Sequence, residues 1–222
     1  QAAIGLLAAL LKRERDGTGQ YLDISMLDAQ VFLLATMIPA YFATGIVPEP
    51  MGSAHPSIVP YQAFPTKDIS INIAVTNEKF WLALCKALGK PELADDPRFQ
   101  TNAKRVEHRG ELLPIIEEVL LTKTGDEWIQ ILRAEGIPCG PILTFDRLFQ
   151  DPQIQARKMT KTFDHETAGP ITVVGTPFKL SSTPARLSSP PPALGQHTDE
   201  VLATLGYDPQ TILALRKKEV IA

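Results

Sequence analysis

Between Pro48 and Pro65 the chain reads PEPMGSAHPSIVPYQAFP, too dense in proline, glycine and serine for a helix or strand to run through its length. It is a linker or an active-site loop, and a change of domain is expected there. Ahead of it, Ile4, Leu7, Ala8 and Leu11 recur at helical spacing, so Ala2 to Arg15 is expected to be a helix. Gly17 to Gly19 ends it. Leu22 and Ile24 then alternate with Asp23 and Ser25, which predicts a short strand over Tyr21 to Leu27, and helical character resumes from Asp28 to Thr44. Helix, tight turn, strand and helix make a piece of an α/β sheet.

Past the proline-rich stretch, Ile69, Ile71, Ile73 and Val75 share one face of a strand, and Asn77 is placed to cap a helix from Glu78 to Leu88. Two more helices are expected, from Asn102 to Leu121 and from Asp126 to Ala134, which gives a mainly helical small domain. Cys139 to Thr144 reads as a strand and Asp146 to Lys158 as helical with a new start near Pro152. Thr160 to Gly175 reads as two short strands about a turn at Gly169, and Ser181 to Pro192 as an extended crossing segment. Thr198 is expected to cap a helix that carries Asp199 and Glu200 in its first turn and stops at Gly206, and a last helix runs from Pro209 to Lys218.

Composition excludes several classes of partner. With 22 basic and 25 acidic residues scattered along 222, and a formal charge of −3, no face is built for a polyanion, so nucleic acid is not expected as a partner. The longest apolar stretch, Val31 to Ala43, is broken by Pro39 and falls short of the ~20 residues a spanning helix needs. It reads as a buried helix, and no membrane association is expected. Cys85 and Cys139 are isolated, which is no disulfide framework and suits a reducing cytoplasm. The chain begins at Gln1 without an initiator Met and its first helix has no polar cap before it, so its start is expected to be cut from something longer.

Familiar catalytic signatures are missing. In the GTGQ turn the helix comes first and the strand second, so a helix C-terminus would face any phosphate and repel it. His55, His108, His165 and His197 lie far apart at no metal-ligand spacing, and no metal site is expected. There is no G-x-S-x-G elbow, and neither cysteine has a base beside it. Asp23 and Asp28, near a strand exit and a helix start, read as caps or solvated carboxylates.

Three runs carry a resemblance. GTGQYLDISMLDA (Gly17 to Ala29), GIPCGPI (Gly136 to Ile142) and PPPALGQHTDEVLATLGY (Pro190 to Tyr207) occur in the order and at the separations of the C-terminal half of a family III CoA-transferase, of the carnitine and bile-acid type. The resemblance implies an α/β fold: a Rossmann-like large domain, present here in its C-terminal part, with an inserted smaller α+β domain. Residues 1–44 and 155–222 would belong to the large domain, 45–58 to a linker or flap loop, and 59–154 to the small domain. It implies transfer of CoA between carboxylic acids, with an acyl-CoA and a carboxylic acid as substrates, no tightly bound cofactor, and an interlocked homodimer of the full-length protein.

By the same resemblance, an aspartate attacks the thioester and becomes a covalent aspartyl-CoA thioester, and that aspartate lies upstream of residue 1. The chain alone is therefore expected to be inactive. The loop that resembles the glycine-rich flap of formyl-CoA transferases is Gly52, Ser53, Ala54, His55 and Pro56, of which only Gly52 keeps the glycine. Losing φ > 0 freedom at the other positions puts flap motion, and oxalate or formate as substrates, in doubt. An α-methylacyl-CoA racemase shares the fold, but Asn77 stands where racemases carry a carboxylate, and an amide moves no proton. His55, in a mobile loop flanked by proline, is poorly suited to be a fixed base. A non-catalytic assembly or binding module is the third reading.

Overall fold

The computed structural model describes residues 1–221, a mixed α/β chain that divides into two compact units, Gln1–Gly140 and Pro141–Ala222. The first unit opens with three helices: α1 (Ala2–Asp16), α2 (Met26–Leu33) and α3 (Ile38–Thr44). Strands β1 (Tyr61–Pro65) and β2 (Ser70–Ala74) follow, then helices α4 (Glu78–Ala87), α5 (Glu92–Asp95), α6 (Asn102–Glu107), α7 (Arg109–Leu120) and α8 (Gly125–Ala134). Strand β3 (Cys139–Pro141) ends at the boundary and completes a sheet of order β1-β2-β3.

All the side chains of this unit's main core lie between Val59 and Ile137. β1 and β2 pair antiparallel with Phe64 opposite Ile71, and the strand period of two puts Ile71, Ile73 and Val75 on one face, all fully buried. Against that face pack the apolar stripes of α4 (Trp81, Leu84, Cys85), α7 (Leu112, Ile116, Leu120) and α8 (Trp128, Ile129, Leu132). Each such side chain contributes about 1.5–3 kcal/mol on leaving water. Asn77 caps α4 as expected, its side chain accepting the Phe80 N–H at 3.0 Å. Thr124 and Glu127 close a capping box on α8, and Asp68 accepts the Gly125 N–H at 2.7 Å. A Cβ on Gly125 would lie 2.4 Å from the Ile69 side chain, which is why a glycine stands there.

None of residues 1–58 is buried. The expected strand at Tyr21 to Leu27 does not form: residues 18–25 join no strand ladder, and Ser25 instead caps α2 by accepting the Asp28 N–H. An alternating pattern needs a neighbouring strand before it becomes a sheet. The apolar stretch 31–43, expected as one buried helix, is split into α2 and α3, bent by 69°, with Pro39 in the first turn of α3. It is also exposed, Phe32 to 65% and Phe42 to 80%. Among the described residues no single helix is long and apolar enough to cross a membrane. The helix expected over Asn102 to Leu121 breaks at His108, which leaves helical backbone geometry (φ −101°, ψ 26°) between α6 and α7.

The second unit holds α9 (Phe145–Leu148), α10 (Pro152–Ala156), the antiparallel hairpin β4 (Thr160–His165) and β5 (Gly169–Val174), then α11 (Thr198–Thr204) and α12 (Pro209–Lys217). Gly169 takes φ +71° at the hairpin turn, as its position between two alternating runs predicts. Thr198 begins α11 rather than capping it. The cap position is His197, whose Nδ1 lies 3.2 Å from the Glu200 carboxylate. Ile212 is the one buried apolar side chain among this unit's described residues.

Candidate functional site

Gly52 to Pro56, the candidate loop, lies between an apolar cleft and a group of polar side chains on α6 and α7. Gly52 adopts φ +61° with open space around it, so the turn needs a glycine for its backbone and not for room. The Ser53 hydroxyl accepts the Ala63 N–H at 3.0 Å, which ties the loop to β1. Ala54 donates its N–H to the Met51 carbonyl. The His55 N–H donates to the Tyr61 carbonyl at 2.9 Å, and the imidazole stacks on the Tyr61 ring, centroids 5.3 Å apart and planes 13° from parallel.

Three side chains that sequence reasoning passed over hold the rest of this segment. Arg109 donates from Nη2 to the carbonyls of His55 at 2.8 Å and Pro56 at 3.1 Å. Asn102 donates to the Ser57 carbonyl at 2.7 Å and accepts the Val59 N–H at 3.1 Å. Arg105, fully buried, donates to the Val59 carbonyl at 2.8 Å and the Phe99 carbonyl at 3.0 Å, pairs with Glu78 at 2.8 Å, and lies over the Trp81 ring. Glu78 in turn accepts the Asn102 N–H. Burial pulls the Arg109 guanidinium below its ordinary pKa, but a group that basic stays charged. The one signal in the sequence was Asn102 and Arg105 three residues apart, on one face of a helix.

From His55 to Val59, six main-chain groups are thus held by these hydrogen bonds. On its other side His55 lines a cleft of about 500 Å³ with Thr36, Met37, Tyr41, Ile46 and Ser57. The Ser57 N–H donates to His55 Nδ1 at 3.2 Å. A nitrogen that accepts carries no proton, so in the neutral ring the proton sits on Nε2.

Asp23 and Asp28 line a separate cleft of about 430 Å³ beside Leu22 and Ile24. His108 bonds Glu111 at 2.9 Å, and that bond together with Arg98 holds the Glu111 carboxyl below the usual range. His165 Nδ1 accepts the N–H groups of Thr167 and Ala168 in the β4–β5 turn. No cluster able to hold a metal ion exists among the described residues. Burial pushes the Cys85 thiol up to about 12 and raises Cys139 as well, so neither is an activated nucleophile. Asn77 is occupied as the cap of α4.

The chain spans about half the length of the curated relatives it matches. It is 40% identical over 218 residues to an acyl-CoA transferase of Fusarium pseudograminearum, covering 97% of this chain and 48% of that protein. It is 34% identical to the human succinyl-CoA:glutarate CoA-transferase, covering 97% of this chain and 50% of that one. Among solved structures, a CAIB/BAIF family protein from Brucella suis superposes with a TM-score of 0.75 at 36% identity, covering 91% of this chain and 52% of the other. The model of CoA-transferase family III matches residues 1–198. With the match covering both units of the fold, the chain belongs to CoA-transferase family III.

Proposed function

We propose that the chain is the C-terminal half of an enzyme that moves CoA from an acyl-CoA to a free carboxylic acid, with succinyl-CoA as donor and a short dicarboxylic acid as acceptor. The observation that carries this reading is 34% identity, across nearly the whole chain, to a succinyl-CoA:glutarate CoA-transferase. In this reading an aspartate outside the chain takes up the acyl group as a mixed anhydride and then CoA as a thioester, so one acyl transfer becomes two easier steps. CoA enters and leaves as a thioester substrate, and no tightly bound cofactor takes part.

Residues 1–44 and 155–222 would complete a Rossmann-like large domain, with 59–154 as the inserted small domain and 45–58 as the loop over the substrate. Gly52, Ser53, Ala54, His55 and Pro56 would wall the acyl site. Exposed apolar side chains on α1 to α3, Leu7, Phe32 and Phe42 among them, suit a chain whose large domain and interlocked homodimer are completed by the other half. The enzyme would act in the cytoplasm, away from membranes and nucleic acid. Asn77, spent on the α4 cap, supports transfer over α-methylacyl racemisation, which needs a proton carrier.

Two experiments test this. The full-length enzyme incubated with succinyl-CoA and glutarate should yield glutaryl-CoA by chromatography. Deuterium uptake at the α-carbon of a 2-methylacyl-CoA in heavy water, without CoA exchange, would favour the racemase instead. The 222-residue chain treated with acyl-CoA and hydroxylamine should show no hydroxamate by mass spectrometry. A stoichiometric adduct on any of its carboxylates would place the nucleophile inside the chain and sink the mechanism.

A further inference from the structure

His55 is held from three sides, and each hold constrains a different degree of freedom. Arg109 fixes the position of its carbonyl, Tyr61 fixes the plane of its ring, and the Ser57 N–H fixes which ring nitrogen is bare. Nδ1 is therefore committed inside the loop. Nε2 bears the proton of the neutral ring and makes no hydrogen bond to a described residue. The cleft that His55 lines has apolar walls (Met37, Ala40, Ile46) and hydroxyl groups (Thr36, Tyr41, Ser57), with no acidic side chain among its described lining residues. Donors without a competing carboxylate, set among apolar walls, suit a ligand with an anionic end and a short alkyl body.

We propose that His55 donates a fixed hydrogen bond from Nε2 to the carboxylate of a short aliphatic acid bound in this cleft, and that Arg109 is its positioning residue. The choice of an acid as ligand rests on the proposed CoA transfer; the geometry of the ring does not. Pre-setting the donor matters because a hydrogen bond to an anion is stronger and more directional than a neutral one, and an imidazole held in place loses no rotamer freedom on binding. Arg109 touches no ligand in this arrangement. It acts through the backbone of residues 55 and 56.

The test uses the chain itself, labelled with 15N in its histidines and read by long-range 1H–15N correlation at neutral pH, with His55→Gln assigning the resonances. The expected spectrum shows His55 protonated on Nε2, and glutarate shifts that nitrogen in a saturable way. Arg109→Met should weaken glutarate binding about fivefold, the scale of one net hydrogen bond, and Arg109→Lys should recover part of it. A proton on Nδ1, or no saturable shift with glutarate, overturns the proposal. Both readouts come from the unsubstituted chain, so they stand even if Arg109→Met fails to fold. Failure of the full-length enzyme to move CoA, with the glutarate shift intact, would refute the transfer reading and leave the site standing.

Discussion

Replacing Arg105 by methionine isolates what the buried guanidinium does, because methionine keeps the length and most of the volume of the stem. Two buried carbonyls, Val59 and Phe99, lose their donor at 2.8 and 3.0 Å, and each unsatisfied group costs about 1–3 kcal/mol. The contact over the Trp81 ring adds about 0.5–2 kcal/mol. Glu78 adds little, since its side chain is 53% exposed and water can replace the guanidinium. Together these terms put the expected loss at about 2.5–8 kcal/mol. Glu78→Gln retains an acceptor oxygen and leaves both carbonyl bonds in place, so it should cost only about 1–2 kcal/mol. Urea unfolding followed by tryptophan fluorescence reads this directly, because the only two tryptophans, Trp81 and Trp128, both lie in the affected core. If Arg105→Met costs under about 1 kcal/mol, or if Glu78→Gln costs as much, the carbonyl bonds are not what makes Arg105 necessary.

Gly125→Ala should destabilise the same core by about 1–3 kcal/mol, because its Cβ would overlap the Ile69 side chain; trimming the partner with Ile69→Val should recover part of the loss. Ellman's reagent at pH 8 should titrate Cys139 slowly and leave Cys85 untouched until urea unfolds the core, since burial keeps that thiol protonated up to about 12. Rapid modification of both thiols in the folded chain would contradict the burial of Cys85. Asp68, whose carboxyl the Gly125 N–H holds below its ordinary 3.8, contributes stability that is present above that value and lost as pH falls through the depressed one. The gap in urea midpoint between the natural chain and Asp68→Asn should therefore shrink below about pH 3.8 and stay constant above it.

Much of the fold is local enough to be written in runs of a few residues. The alternation of Ile71, Ile73 and Val75, the Asn77 cap and the glycine at the β4–β5 turn each depend on neighbours in sequence, and each is found where its pattern puts it, whereas the proline-rich stretch expected as loop from Pro48 to Pro65 gives its last five residues, Tyr61–Pro65, to β1, because β2 lies beside them to pair with. Where a pattern needed a distant partner it misled: Leu22 and Ile24 alternate but no strand lies beside them, and the apolar run 31–43 found nothing described to bury it. The anchoring of the His55 loop is of that second kind. Arg105 reaches a carbonyl 46 residues away, and Arg109 one 54 residues away. A charged residue on a short helix reads as solvated until the chain closes over it, so only tertiary packing could turn Arg105 into a core side chain and Arg109 into the support of His55. Periodicity and capping are decided by torsions within one element, whereas the burial of a charge is decided by which carbonyls the rest of the fold brings to it.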